Sequence, residues 1–394
     1  MPIFMRKFLT IMLLFGVLLA VGQTRASQED TFRPYVSAAI VHDSNLFRFS
    51  RDFRQDNTSD TIKRLEAGVN VDYTLGRQQV LVDASVNRHL FQRFDFLDFD
   101  GNDGRAVWNW QLGNRWQGDL GYTRNQRLAT FTEVQSPVRD VRTQQSAFIN
   151  AIYKFDPDWR LRAGGNWYDL ESGAAARRFL NRKEISGVLG AEYVNEAGNF
   201  VGGQVRVIGA NFPDRVVGVL DNSYVQTEIQ GVADWRYTNL SYFKGRLGYT
   251  QRKHDQISSR DFNGLTGRLT YEWSVTAKTL ARAEIGREIG SIDNLINTYV
   301  VTRAVSTGAT WLPTAKTFVK ADLAYKQRDY RGDPGLGFTG VREDDIRTLS
   351  VSVGYTPMRN VQLALDAVME RRGSTRIFAD YSYNMVSASV RVEF

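Results

Sequence analysis

The feature that most constrains the fold of this chain is an alternation of apolar and polar residues with a period of two. From residue 65 to residue 75 every second side chain is apolar, and acidic or amide side chains fill most of the positions between. The pattern returns over residues 317–325 and 361–369, with charged residues in the middle of each run and always on one parity. This period is typical of strands with one apolar and one polar face, and a helical period is almost absent. The sequence therefore predicts an all-β protein.

Tight turns and long polar segments alternate along the chain. Eight tight turns, such as Leu75–Gln78 and Asp156–Asp158, recur about 40 residues apart, and nine longer polar segments lie between them. The strands of roughly 12 to 16 residues are too long for propeller blades, and a sandwich would have to bury its apolar face against a second sheet. The layout predicts a transmembrane antiparallel up-and-down β-barrel of the Gram-negative outer-membrane type, with about 18 strands, or 16 as the alternative.

The N-terminus resembles an export signal. Residues 1–26 combine two basic residues, an apolar run and small residues before the expected cleavage site. Residues 27–394 then form a single outer-membrane β-barrel domain. A mean hydropathy of −0.36 excludes a polytopic helical membrane protein, and the absence of cysteine excludes both lipoprotein acylation and disulfides.

The C-terminus and the aromatic residues also point to the outer membrane. Val390, Val392 and Phe394 alternate with polar residues, and the chain stops at the aromatic. This ending resembles the terminal strand by which the barrel assembly machinery recognises Gram-negative barrels. Large aromatics such as Trp273 and Trp311 lie close to the tight turns, where an interfacial girdle belongs.

The polar parity of such a barrel must face a hydrated lumen, because the outer face meets lipid. The predicted pore-lining residues are Arg160, Arg162, Arg206, Lys244, Arg246, Arg268, Arg282, Glu284, Lys320, Asp322, Tyr381 and Tyr383. Opposite charges on neighbouring strands would pair and stiffen the wall, whereas clustered cations would attract an anionic or hydroxyl-rich solute. The glycine-rich segment 328–345 is the candidate for a loop that narrows the pore.

Catalytic and metal sites are not predicted. His42 and Asp43 are adjacent in a strand and so face opposite sides, which argues against a catalytic triad. The acids between Asp95 and Asp103 lack the spacing of an EF-hand loop. We therefore expect no enzymatic activity, no cofactor and no metal, and an exported protein would seldom meet nucleic acid.

One motif narrows the function. Asp43, Asn45 and Phe47 form an Asp-x-Asn-apolar-aromatic run that resembles the first strand of the EpsL-like group of outer-membrane barrels, which are encoded with exopolysaccharide biosynthesis operons. The resemblance extends over the mature chain in length, strand count and terminal Phe. It implies a conduit that exports a secreted polysaccharide and docks to a periplasmic polysaccharide export protein, and it carries over no catalytic residue.

Three functions remain open at this point. The first is polysaccharide export through a passive, charged and hydrated pore. The second is a general diffusion or oligosaccharide porin. The third is a plugged structural or adhesive barrel. In each case the expected surroundings are outer-membrane lipid and lipopolysaccharide.

Overall fold

The computed structural model describes residues 31–53, 58–215, 221–256, 258–292, 298–332 and 342–394. The predicted signal peptide, residues 1–26, lies outside these described residues. The strands are β1 (Phe32–Asp43), β2 (Asp60–Leu75), β3 (Gln78–Phe91), β4 (Phe99–Leu112), β5 (Trp116–Leu128), β6 (Val141–Lys154), β7 (Trp159–Ser172), β8 (Arg182–Val194), β9 (Phe200–Asn211), β10 (Tyr224–Thr238), β11 (Ser241–His254), β12 (Phe262–Thr276), β13 (Thr279–Ser291), β14 (Tyr299–Thr314), β15 (Thr317–Arg331), β16 (Arg342–Met358), β17 (Val361–Ser374) and β18 (Tyr381–Glu393). Short 3-10 helices lie in the long loops at Arg51–Phe53, Asp95–Leu97, Ala175–Leu180 and Ser258–Arg260.

The strands form one closed, 18-stranded antiparallel sheet. Each strand pairs with its neighbours in sequence, and β1 closes the ring by pairing with β18 from Tyr35 opposite Glu393 to Asp43 opposite Met385. The backbone N–H of Phe394 donates to the carbonyl of Pro34 at 2.9 Å and extends this seam. The predicted β-barrel is confirmed, with 18 strands rather than the alternative of 16.

Tight turns gather at one end of the barrel and long loops at the other. Gly76 and Gly113 both adopt φ of +60° in the β2–β3 and β4–β5 turns, a left-handed conformation that glycine reaches without strain. The start of β1 and the end of β18 lie at this same end. In outer-membrane barrels the short turns face the periplasm and the long loops face outward.

The two faces of the wall differ sharply in polarity. On β15, Leu323 and Tyr325 are 55% and 43% exposed, with Leu349 directly opposite Leu323 on β16 and Val305 directly opposite Tyr325 on β14. These side chains form the outer surface, so the opposite parity lines the lumen. From the strand registers, the lumen-facing residues have even numbers in β2 and β6–β17 and odd numbers in β1, β3–β5 and β18. Among the described residues, no helix is both long and apolar enough to cross a membrane.

A charge placed on the apolar outer face tests this assignment. Leu323→Arg is expected to lower the free energy of unfolding by about 2–4 kcal/mol, because the new charge would lie in hydrocarbon. Ala324→Arg, one residue along on the lumen side, is the matched control and should change it by less than about 1 kcal/mol. Denaturant unfolding of the barrel in phospholipid vesicles measures both. Equal losses would mean that the two faces have been assigned wrongly.

Candidate functional site

The loop between β5 and β6, residues 129–140, crosses to the far side of the lumen. Its Glu133 carboxylate contacts three arginines of the opposite wall: Arg328 on β15, Arg342 at 3.4 Å on β16 and Arg372 at 3.9 Å on β17. The hydroxyl of Tyr330 also donates to Glu133, at 3.0 Å. All four partners belong to the lumen-facing parity, and their strands lie almost opposite β5 and β6 in the ring. The loop therefore narrows the outer part of the lumen.

The charges that hold this loop are buried. The side chains of Arg372 and Asp344 are 1% and 0% exposed. Arg342 Nη2 lies 2.6 Å from Asp344 Oδ2, and Arg372 also donates to the carbonyl of Thr132 in the loop at 2.6 Å. Removing one member of such a buried network leaves the others uncompensated. The Glu133 cluster, defined as Glu133, Asp344, Arg328, Arg342 and Arg372, is therefore a strong anchor.

A second anchor is aromatic. Phe47, in the loop after β1, packs against Phe131 of the β5–β6 loop with ring centroids 4.9 Å apart and against Phe94 at 4.7 Å. Leu97 and Phe99 complete this buried cluster. Apolar burial here ties three of the long loops together. The loop at 129–140 is thus held at its base by aromatic packing and at its tip by charge.

The first-strand motif builds the loop that carries Phe47. Asp43 accepts from the backbone N–H of Asn45 at 2.9 Å and pairs with Arg48 at 2.8 Å. The Asn45 amide donates to the carbonyls of Phe49, at 2.9 Å, and of Ser382, at 3.1 Å. These contacts fix the turn after β1.

The histidine beside this motif has a separate partner. His42 Nδ1 lies 3.1 Å from Thr61 Oγ1, while Asp43 faces the other side of the strand. Within the described ranges, no group of three or more His, Asp or Glu side chains is arranged to hold a metal ion.

Cations on the lumen side of β6–β13 outnumber the carboxylates with which they pair. Arg160 and Arg162 on β7 share the single carboxylate of Glu192, which lies 2.7 Å from Arg162 Nε. Because both guanidinium groups meet one buried acid, this pair keeps a net positive charge. Shared carboxylates of this kind hold the arginines in fixed positions.

A similar cluster spans β11–β13. Glu288 bridges Arg246 and Arg268, and Glu284 contacts Arg268 at 3.1 Å and Arg282 at 2.9 Å. Three arginines therefore share two carboxylates. These five side chains form a continuous ladder across the wall.

A cavity of about 310 Å³ opens in the lumen wall beside this ladder. Arg206, which lies 3.9 Å from Glu228, lines it together with Arg246 and Arg252. Arg252 is buried, donates to Gln226 at 2.8 Å and lies over the ring of Tyr224 at 3.9 Å. Arg252 is not among the pore-lining residues predicted from the sequence, although its even number on β11 gives it the lumen parity.

The remaining predicted pore-lining cations lie toward the periplasmic end. Lys244 faces the lumen on β11, and no carboxylate of the described residues lies within ion-pairing distance of it. Lys320 and Asp322 pair with each other at 3.1 Å on β15.

Each of the two predicted tyrosines packs against an arginine. Tyr381 is 3% exposed, donates to Glu370 at 2.8 Å and has Arg372 over its ring at 4.3 Å. Arg48 lies over the ring of Tyr383 at 3.5 Å. A guanidinium group thus occupies one aromatic face of each tyrosine.

The segment expected to narrow the pore lies in part outside the described residues. Of the segment 328–345, Arg328 belongs to β15 and Arg342 to β16, and residues 333–341 lie outside the described residues. Among the described residues, the loop that crosses the lumen is residues 129–140. No periodic signal marks that loop, because its contacts depend on distant strands.

The comparisons with known proteins agree with this architecture. A family model described as "Putative beta-barrel porin 2" matches residues 242–394. A BenF-like porin from Pseudomonas fluorescens Pf-5 is similar over 93% of this chain and 99% of that chain, with 11% identity and a TM-score of 0.51. Pseudomonas aeruginosa OccK2 (OpdF), solved in complex with glucuronate, is similar over 92% of this chain and 98% of that chain, with 11% identity and a TM-score of 0.50.

These matches concern the fold. No curated protein sequence matches this chain. The Asp-x-Asn-apolar-aromatic run, residues 43–47, lies outside the segment that the family model matches, so its resemblance to the EpsL-like group stays a prediction. Together with the apolar outer face, the matches identify a porin-like β-barrel of the outer membrane.

Proposed function

We propose that the barrel is a porin that passes small hydrophilic solutes and favours anionic ones such as sugar acids. The observation that carries this proposal is the surplus of lumen-facing guanidinium groups over carboxylates on β7 and β11–β13. OccK2, which has a similar fold, was solved with glucuronate, and this supports a sugar acid as the first solute to test.

The arrangement suits passage rather than tight capture. The arginines are fixed by shared carboxylates, so they present positive charge to the lumen without moving. The mixture of signs limits how tightly an anion is held, which lets it leave as readily as it enters. The loop at 129–140 reduces the cross-section and so favours small solutes over polymers.

Ion selectivity in planar bilayers tests the proposal. The reconstituted barrel should conduct, and its reversal potential in a KCl gradient should show preference for chloride. Replacing Arg160 and Arg162 by glutamine should lower that preference by roughly a factor of two, because two cations of the surplus are removed. Lys63 and Arg88, on the outward face, give the matched control when both are changed to glutamine.

The possible outcomes separate the functions. A preference for potassium, or an equal effect of the two double variants, would contradict an anion-favouring lumen. A barrel without conductance would point to the plugged structural or adhesive role.

Polysaccharide export is the second candidate, favoured by the first-strand motif alone. In that case a periplasmic export protein would be the partner, and the loop at 129–140 would have to leave the lumen to admit a chain. Its two anchors oppose this movement. Deleting the gene and measuring secreted polysaccharide tests the idea, since normal secretion would exclude it.

A further inference from the structure

A concave apolar groove lies on the outer surface of the barrel, across β10–β15. Its volume is about 980 Å³. The apolar side chains that line it are Leu247, Leu265, Leu269, Ile285 and Val305. Gly231, Gly245 and Gly267 have the outward parity on three successive strands, so the wall lacks side chains there and the groove stays open. Such a surface accepts a hydrocarbon chain.

The outer end of this groove is cationic. Ile285, Val305 and Tyr325 are cross-strand neighbours and form an apolar row on the outward face. The next outward row is Arg287, Arg303 and Gln327, and all three residues also line the groove.

The height of this second row matches the membrane interface. Arg287 is the ninth residue of β13, which begins at Thr279 after a periplasmic turn. A tilted strand crosses the hydrocarbon in about 9 to 11 residues. The arginines therefore lie where the headgroups of the outer leaflet begin.

Of the two arginines in this row, only Arg303 has a carboxylate partner among the described residues. Arg287 and Arg303 are directly opposite on neighbouring strands, an arrangement that is unfavourable for like charges. Asp329 lies 3.3 Å from Arg303 and is shared with Arg331 at 3.8 Å. Arg287 donates to the carbonyl of Leu265, and no described carboxylate pairs with it. Arg303 and Arg331 thus share one acid, and Arg287 has no carboxylate partner among the described residues.

A neighbouring outward acid is already engaged. Asp345, opposite Gln327 on β16, accepts from the hydroxyl of Tyr325 at 2.6 Å. An anion placed between Arg287 and Arg303 would relieve their repulsion and accept from both guanidinium groups.

We propose that this groove is a binding site for a phosphorylated glycolipid of the outer leaflet. One phosphate sits between Arg287 and Arg303, and an acyl chain follows the groove toward Leu247 and Leu269. The combination of paired arginines and an adjoining apolar channel fits an amphiphile with an anionic head. It does not fit a zwitterionic lipid, whose head would leave the arginines uncompensated.

The test uses the full mature barrel, refolded in detergent free of bacterial lipid and titrated with bis-phosphorylated lipid A. Native mass spectrometry measures occupancy. Replacing Arg287 and Arg303 by glutamine should weaken retention on the order of tenfold. Gly231→Leu should also weaken it while leaving the arginines intact, because a Cβ at this position meets no atom closer than 3.8 Å and the side chain fills the groove.

Matched controls distinguish the site from general lipid contact. Arg347 and Arg371 are another outward pair of directly opposed arginines, but they do not line the groove. Changing both to glutamine should leave retention unchanged, as should Gly187→Leu on the outward face of β8. Equal losses in the site and control variants, or equal binding of lipid A without its phosphates, would overturn the proposal.

Discussion

Replacing Glu133 by glutamine should raise the single-channel conductance of the barrel severalfold. The carboxylate of Glu133 contacts three arginines of the far wall, and together with the hydrogen bond from Arg372 to the carbonyl of Thr132 this contact holds the tip of the 129–140 loop across the lumen. Without its charge, Arg328, Arg342 and Arg372 repel one another around a neutral amide. Breaking a buried network of this kind is expected to weaken the anchor by about 3–5 kcal/mol. The loop tip would then move away from the wall and widen the path.

Glu272→Gln is the control for this measurement. Glu272 faces the lumen on β12 near the periplasmic turn, so its substitution removes the same charge without touching the loop. Phe131→Ala offers an independent route to the same result, because it removes the aromatic anchor and leaves the charges in place. Conductance that is unchanged in both loop variants, or raised equally by Glu272→Gln, would show that the loop does not limit passage.

The sequence was sufficient to predict the wall because the wall follows a local rule. Side chains alternate along each strand, so Arg160, Arg246 and Lys320 could be assigned to the lumen parity from their neighbours in sequence alone. The number of strands could be predicted for the same reason, because each tight turn and each long polar segment can be recognised from its own residues. The closed ring adds only that β1 meets β18.

The interior of the lumen was not predictable in this way. The hydrogen bond from Arg328 to Glu133 joins residues 195 positions apart, and no pattern in residues 129–140 indicates which strand they will reach. Tyr381 shows the same limit. Its parity toward the lumen follows from alternation, but its burial depends on Arg372 and on a loop from the other side of the barrel.

The motif of the first strand can be recognised from the sequence, but its structural role cannot. Asp43 and Asn45 are polar residues at the end of a strand, and they suit a turn or a binding site equally well. Only the contacts of Phe47 with Phe94 and Phe131 show that this turn supports the constricting loop. This structural role explains why Asp43, Asn45 and Phe47 occur together, and it requires no contact with a transported solute.

Phe394→Ala should remove most of the folded barrel from the outer membrane of cells while leaving its refolding in vesicles nearly unchanged. The ring of Phe394 is 43% exposed on the outer surface, so it adds little to packing. The seam with β1 is made by the backbone N–H of Phe394, which alanine retains. The expected loss therefore reflects recognition of the terminal strand by the barrel assembly machinery, with Val390 and Val392 on the same outward face.

The matched control for this last prediction is Phe32→Ala. Phe32 is also an exposed aromatic at the periplasmic end, on the neighbouring strand β1, and is 57% exposed. Its substitution should leave the amount of folded barrel in cells unchanged. Unheated gel mobility measures the folded fraction in membranes and in vesicles. If Phe394→Ala also fails to refold in vesicles, or if both variants are depleted equally in cells, the terminal aromatic acts through stability of the rim instead of through recognition.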